Sequence, residues 1–384
     1  MKILQVTCDL NRSSTGVLTT TANFASALTN EGHAVTTVSF DRHAYGTGER
    51  MSATLPILAS GLVGLNRYVW SPHAALGRFD HLFNDCDRIL IHSLYGHHFT
   101  WAARRAMARR IPAFVIPHGA LRRYCLENNG LRKSLWLRLN RVFIEHHATF
   151  ICSSDYELKQ STAFIKDFSS VVLGWPVEVL PTVQTVPTES KNRVLLMVGR
   201  VHPMKRPLET IRAFLRTRNS NWQLLIVGPT SPEISEAMLR SASGEEWGNA
   251  VRFIGPVSHE DLAQYYRMAE GIVLFSQGEN FANVVAEAMC FGRRAFISDD
   301  VGVETAVRKG DCGRVYRISS EESIDDAFRD IFGSVGHLSL EEVVRIADFS
   351  QKEFSFASFS TMLSSILSRP RVETKLCEAL EVDG

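Results

Sequence analysis

Four charged residues in the second half of this 384-residue chain carry its strongest chemical signal: Arg200, Lys205, Glu279 and Glu287. The two cations stand in the run Gly199-Arg200-Val201-His202-Pro203-Met204-Lys205, directly after an apolar segment that ends at Val198. If that segment is a strand, both sit beyond its carboxyl end, where open α/β sheets bind their ligands. Arginine grips phosphate oxygens with a planar fork and lysine adds a point charge, so the pair suits a diphosphate. Glu279 lies in the run from Phe275 to Asn283, which follows the apolar segment 271–274 and leads into a helical pattern over 284–291 that contains Glu287. Amides at a helix start bind phosphate, and a carboxylate accepts two hydrogen bonds from a vicinal diol, as on a hexose or a ribose. A third turn, Ile116-Pro117-His118-Gly119-Ala120, sets a histidine just past another apolar segment. Each turn taken alone reads as readily as an ordinary surface loop.

These turns need a scaffold, and the pattern of the chain supplies one. Short apolar runs alternate with amphipathic stretches, the arrangement of parallel strands joined by crossover helices. Strands are expected over 3–7, 34–40, 88–93, 113–116, 149–153 and 171–173 in the first half, and over 194–198, 223–227, 251–254, 271–274 and 295–298 in the second. The expected fold class is α/β, with two Rossmann-like doubly wound domains and a cleft between them. A Pro/Thr/Ser-rich stretch interrupts the pattern, so the expected division is a first domain over 1–180, a linker over 181–192 and a second domain over 193–355. Residues 356–384 read as a helix returning toward the first domain, followed by a tail.

The bulk numbers exclude several classes. A hydrophobic content of 45% with 22% charged residues is that of a globular protein rather than a disordered one. No run approaches the 18 or so apolar residues of a membrane span. The seven cysteines are odd in number and never spaced Cys-x-x-Cys, which argues against a disulfide framework or a zinc site and for a reducing, cytoplasmic setting. The first half is basic, with 19 Lys and Arg against 13 Asp and Glu in residues 1–180. Arg132, Lys133, Arg138 and Arg141 stand there among Leu135, Trp136 and Leu137. Such a face suits an anionic membrane surface and equally suits a solvated helix resting on a core. Asp85-Cys86-Asp87 precedes a strand instead of following one, so it sits away from the ligand edge and is not read as a metal site.

The order Val198-Gly199-Arg200 with Lys205, then Phe253-Ile254-Gly255-Pro256-Val257, then Ser276 through Glu287 followed by Ala288-Met289 and Gly292, resembles the retaining GT-B glycosyltransferases of family 4. The first half resembles them through Gly16, Gly32-His33-Ala34-Val35, Pro117-His118-Gly119 and Ser153-Ser154 with Glu157. On that resemblance Arg200 and Lys205 would hold the diphosphate of a nucleotide-sugar donor, Glu287 its ribose and Glu279 the transferred sugar. The amides of Asn280, Phe281, Ala282 and Asn283 would assist, Ile254 and Val257 would flank the base, Gly16 would lie beside the phosphate and His118 near the reacting sugar. The chain has Thr15-Gly16 where the family has Gly-Gly, and Asn280-Phe281-Ala282 where it has Gly-Phe-Gly; neither change removes a charge.

The resemblance further implies a metal-independent hexosyltransferase without cofactor. Displacement would occur on one face of the sugar, the leaving phosphate accepting the acceptor's proton. The expected partners are the donor and a glycan or lipid-linked glycan used in cell-surface polysaccharide synthesis, with peripheral contact at the inner face of the cytoplasmic membrane and no nucleic acid. Two alternatives share the fold: an epimerase acting on the donor alone, and a non-catalytic donor-binding subunit. Formation of an epimer without acceptor would mark the first, and absence of donor hydrolysis the second.

Overall fold

The computed structural model describes residues 1–7, 15–40, 50–57, 61–70, 80–121, 130–165, 167–177, 186, 193–217, 221–231 and 250–369. The expected linker, 181–192, lies outside the described residues except for Val186. The chain divides into two compact units, Met1–Pro176 with Phe356–Gly384, and Val177–Ser355.

The first unit is built on β1 (Lys2–Thr7), β2 (Ala34–Phe40), β3 (Arg50–Ile57), β4 (Gly61–Trp70), β5 (Arg88–His92), β6 (Ala113–Ile116), β7 (Ala148–Cys152) and β8 (Ser169–Val172). Its helices are α1 (Thr15–Asn30), α2 (His97–Arg109), α3 (Gly130–Leu139), α4 (Arg141–His146) and α5 (Asp155–Thr162). The strand order β3-β4-β2-β1-β5-β6-β7-β8 is parallel from β4 to β8. Helices cover the sheet, so β5, β6 and β7 consist almost wholly of buried residues. The hairpin of β3 and β4 was not among the expected strands, and it makes the outermost pairing antiparallel. Pro56, Gly61 and Gly64 break its pattern in the sequence, and an edge strand is where a missing proline donor is tolerated. Phe24 of α1 meets Phe359 of the helix Phe356–Ser368 edge to face at 5.2 Å, and His33 Nε2 lies 2.8 Å from Ser364 Oγ, so this last helix is part of the first unit.

The second unit contains β9 (Arg193–Val198), β10 (Trp222–Val227), β11 (Val251–Gly255), β12 (Gly271–Leu274), β13 (Arg294–Ser298) and β14 (Gly313–Tyr316). Between and after them run α6 (Pro207–Thr217), α7 (His259–Met268), α8 (Asn283–Cys290), α9 (Glu304–Lys309), α10 (Glu321–Ser334) and α11 (Leu340–Glu353). The sheet is parallel throughout, in the order β11-β10-β9-β12-β13-β14, and Leu195, Phe214, Trp222, Ile226, Phe275 and Phe328 anchor one face of its core. The short β14 was not anticipated. Both units are thus doubly wound Rossmann-like folds, as expected.

One feature of the second sheet decides where a ligand can enter. The chain winds outward from β9 through β10 to β11, then returns to place β12 on the other side of β9. The β9–β12 ladder covers only Gly271↔Leu195 and Ile272↔Leu196, so the strands part over their last two residues. Such a switch in winding opens a crevice at the carboxyl edge. On the β9 side the edge is continued by backbone bonds: Gly199 N donates to Val227 O at 2.9 Å, Gly228 N to Gly255 O at 2.8 Å and Val201 N to Pro229 O at 2.8 Å.

Gly228 shows how tight this edge is. Its φ is +143°, and a Cβ added there would lie 2.1 Å from the Gly199 carbonyl oxygen, whereas at Gly255, with φ +83°, a Cβ would meet nothing within 4 Å. Gly228→Ala is expected to destabilise the chain by about 3 kcal/mol or more, because backbone must move. Gly255→Ala carries only left-handed strain, about 1 kcal/mol. Comparative thermal melts check the contrast, and equal losses would contradict it.

Candidate functional site

Two loops meet at the point where β9 and β12 part. The first leaves β9 through Gly199 and Arg200 and closes as a single 3₁₀ turn, Pro203–Lys205, whose start is capped by His202 Nδ1 accepting from Met204 N at 3.2 Å. The second leaves β12 through Phe275 and Ser276 and enters α8. Gln277 N donates to Met204 O at 2.8 Å, tying one loop to the other. Glu279 is fixed from both sides: its N–H donates to Asp300 O at 2.9 Å and its carbonyl accepts from Gly302 N at 2.9 Å, giving a one-residue parallel bridge to Val301.

The side chains then converge. Lys205 is only 8% exposed, and its Nζ lies 3.4 Å from Glu279 Oε1. A lysine ammonium has three donors, and among the described residues Glu279 is the one acceptor within reach of this one. Room for the ammonium comes from Gly199, with φ +113°, where an added Cβ would stand 3.1 Å from Nζ. Arg200 is exposed and has no hydrogen-bond or ion-pair partner among the described residues. The Lys205 ammonium is thus buried with one long contact, and Arg200 stands five residues earlier on the same loop.

The start of α8 adds to the positive edge. Its N-cap, Ala282, has φ +73° and gives no side-chain cap, while Val285 N and Ala286 N bond back to Ala282 O. The first-turn amides of Asn283 and Val284 therefore point out of the helix, as at any helix start. The left-handed backbone at Ala282 explains why the resembling family places glycine there. Phe281 is buried against the ring of Phe354, at 5.9 Å and 88°. Ile254 and Val257 flank Gly255 and are both half-buried.

Glu287 lies about one turn into α8. Its Oε2 accepts from the Tyr266 hydroxyl at 2.8 Å, and it has no contact with Arg200 or Lys205. Burial raises the Glu287 carboxyl above the ordinary carboxylate range, an effect opposed by the Tyr266 hydrogen bond and by nearby His259. Tyr266 itself is pushed far upward, first by burial and then by the Glu287 charge, so its hydroxyl stays protonated as a donor. Nothing in the sequence singled out Tyr266, which stands on α7 as one apolar-face residue among several.

In the first unit, Gly16 falls in the first turn of α1, and most of the loop expected to precede it lies outside the described residues. His118 follows β6 with φ +51°, and Gly119 with φ +71°. This left-handed pair is held by Glu157, whose Oε1 accepts from Gly119 N at 2.6 Å and whose Oε2 accepts from Ser153 N at 2.7 Å and Ser153 Oγ at 2.8 Å. The His118 ring stacks on His92, the last residue of β5, with Nε2 3.1 Å from His92 Nδ1. His98 donates from Nε2 to the His92 carbonyl at 3.0 Å. Sequence reading did not single out His92, because only the topology brings β5 and β6 side by side. Asp85 and Asp87 sit at the amino end of β5, next to Lys2.

A polar cavity of about 200 Å³ also exists in the second unit, lined by Arg294, Gly313, Arg314, Gly336, Glu342 and Arg345 among others. It lies where β13 and β14 begin, at the edge opposite Lys205. Its cations are already engaged, Arg294 by Glu342, Arg314 by Asp330 and Arg345 by the carbonyls of Gly310 and Asp311. At the carboxyl edge, by contrast, Arg200 has no such partner among the described residues.

Against known proteins, residues 183–334 match the family described as glycosyl transferases group 1, and residues 15–172 match the glycosyl transferase 4-like domain. The chain belongs to this family of GT-B glycosyltransferases. The D-inositol 3-phosphate glycosyltransferase of Nocardia farcinica is 29% identical over 41% of this chain and 37% of its own length. That of Frankia alni is 33% identical over 31% of this chain and 32% of its own. The chain thus spans about a third of the length of these curated relatives. Sucrose-phosphate synthase from Thermosynechococcus elongatus superposes with a TM-score of 0.69 at 16% identity, covering 95% of this chain and 98% of that one. Anabaena HepE, solved with UDP-glucose, superposes at 0.68 with 15% identity, covering 96% and 99%. At such identities the likeness is one of fold.

The histidine cluster makes a prediction about acid stability. Burial lowers His98 and His118 from the ordinary 6.5 to about 4. Between those values the unfolded chain binds more protons than the folded one. Stability is therefore full above pH 6.5 and falls as the pH drops toward 4, by on the order of 3 kcal/mol per histidine. His98→Gln keeps an amide donor toward the His92 carbonyl but does not titrate. Its melting temperature should fall less between pH 7 and pH 4.5 than that of the wild type, by about 5 °C. An equal fall would contradict the assignment.

Proposed function

We propose that the chain transfers a hexose, with retention, from a nucleoside diphosphate sugar to a glycan or lipid-linked glycan acceptor. The observation that carries this reading is the buried Lys205 ammonium, which has Glu279 at 3.4 Å on one side and donors to spare at the mouth of the crevice. Lys205, Arg200 and the open amides at the start of α8 take the diphosphate. Glu279 takes hydroxyls of the hexose. Glu287, aligned by Tyr266, takes the ribose hydroxyls, Ile254 and Val257 border the base, and Asn280, Phe281 and Ala282 shape the loop around the sugar. Gly16 is assigned a place beside the phosphate, and His118 a hydrogen bond to the transferred sugar. The HepE complex with UDP-glucose makes that nucleotide sugar the first donor to try.

In the proposed step the acceptor oxygen bonds to the anomeric carbon on the face that the phosphate leaves. The carbon–oxygen bond to the phosphate breaks, and the acceptor's proton passes to the leaving phosphate oxygen. Negative charge grows on the diphosphate, so preorganised cations lower the barrier more than they tighten the ground state. Lys205→Ala should lower turnover at saturating donor by about 10²–10³; turnover within a few-fold of wild type would remove Lys205 from the reaction. No step is assigned to a metal, so activity should be unchanged in excess chelator, and its loss with recovery on adding a divalent ion would contradict that. A thermal-shift screen of nucleoside diphosphates and their sugars fixes the donor, and an acceptor screen begins with inositol phosphate, which the relatives' names indicate.

We propose peripheral contact with an anionic membrane as part of this activity. Helix α3 is apolar on two sides. Trp136 and Leu137 pack on the core, while Leu131, Leu135, Leu139 and the neighbouring Val142 of α4 are between 60% and 90% exposed. The helix contains no acid, and Arg132 and Arg138 are exposed beside the leucines. Leucines within a ring of cations match the acyl and headgroup layers of such a surface. No described helix is long and apolar enough to span a bilayer. Leu135→Gln with Leu139→Gln should abolish sedimentation with phosphatidylglycerol vesicles while leaving donor binding intact; undiminished sedimentation would refute the contact.

A further inference from the structure

The pair His92 and His118 poses a question of proton placement that the structure answers. His92 is fully buried at the end of β5, and its ring lies edge to face with Phe24 at 5.2 Å and 84°. Its Nδ1 is 3.1 Å from His118 Nε2, while its Nε2 is buried without a hydrogen-bond partner among the described residues. The His118 ring makes no other hydrogen bond among the described residues. Burial lowers both rings well below the ordinary histidine range, so both are neutral near pH 7 and each carries one ring proton.

Two arrangements satisfy a single hydrogen bond between neutral rings. If His118 donates from Nε2, His92 must accept at Nδ1, and its own proton is forced onto Nε2. That would leave a fully buried N–H with nothing to bond. If His92 donates from Nδ1, its Nε2 is only an unused lone pair. Orphaned buried donors are rarer and costlier than under-used acceptors. We infer that His92 donates from Nδ1 to His118 Nε2, and so fixes His118 in the tautomer that carries its proton on Nδ1 and offers that N–H as a donor.

His92 is thereby a positioning residue. It closes one nitrogen of His118 and decides that the other gives a hydrogen bond instead of receiving one, while Glu157 fixes the backbone of the same turn through Gly119. The consequence for function rests on the proposed contact of His118 with the transferred sugar. That contact must then run from Nδ1–H to a sugar oxygen acting as acceptor. A neutral donor on a hydroxyl oxygen leaves that hydroxyl's own proton free for another acceptor.

The test is a multiple-bond ¹⁵N–¹H correlation spectrum of the full chain labelled with ¹⁵N-histidine, at pH 7.5. Both His92 and His118 should show a protonated Nδ1 and a bare Nε2; a protonated Nε2 on His118 overturns the inference. Two variants extend it. Asparagine carries its amide nitrogen on Cγ, as histidine carries Nδ1, so His92→Asn should leave His118 in the same tautomer. His92→Phe removes the donor and should turn the His118 signals into those of a tautomer mixture. If His118 keeps the pure Nδ1–H pattern in His92→Phe, His92 does not set it and the inference fails. The underlying site reading is tested separately: wild-type turnover of the screened donor by His118→Ala would take His118 out of the reaction while leaving the tautomer result as measured.

Discussion

The contact between Lys205 and Glu279 is the constraint around which the second unit is organised. A buried ammonium is tolerable only beside a counter-charge, and a single carboxylate at 3.4 Å leaves it under-satisfied. The rest of the edge keeps that imperfect pair in place. Gly199 has no side chain to displace the ammonium, Gly228 lets the next turn approach the Gly199 carbonyl, and the bridge to Val301 stops Glu279 from swinging away. The β9–β12 ladder stops short of the carboxyl ends of both strands, from which the two loops bearing the pair depart. On the proposed function, a site prepared in this way would need little reorganisation to receive the diphosphate, which is the condition for electrostatic catalysis.

The first unit fixes its candidate residue by a different device. There a buried carboxylate, Glu157, accepts hydrogen bonds from backbone amides of two successive loops. Its task is geometric: it holds His118 and Gly119 in consecutive left-handed conformations that a free loop would seldom adopt. In the first unit a glutamate side chain pins the strand-end turn, whereas in the second the glutamate is itself held through its backbone. In the second the carboxylate faces a cation, and in the first it is consumed by the scaffold.

Much of this was legible in the sequence. Each parallel strand buried on both faces appears as a compact apolar run, which is why eleven expected strands recur within a residue or two of their observed ends. The turns bearing Arg200, Lys205 and Glu279 were legible because a strand end is marked by the run that precedes it. What escaped were features with no local signature. The β3–β4 hairpin is interrupted by proline and glycine, and β14 is four residues long. Tyr266 and His92 gain their meaning from partners on other elements, 21 and 26 residues away, and no periodicity encodes such a contact. The left-handed backbone at Ala282 was equally silent, since alanine gives no sign of it.

The most direct test of the central claim is hydrogen–deuterium exchange of the full chain, with and without a saturating amount of the tightest-binding nucleoside diphosphate. Slowed exchange should be confined in the second unit to peptides spanning 199–205 and 278–287, where the loops of Lys205 and Glu279 meet. Protection appearing instead around 311–314 and 334–345, at the opposite edge, with none at 199–205, would contradict the account.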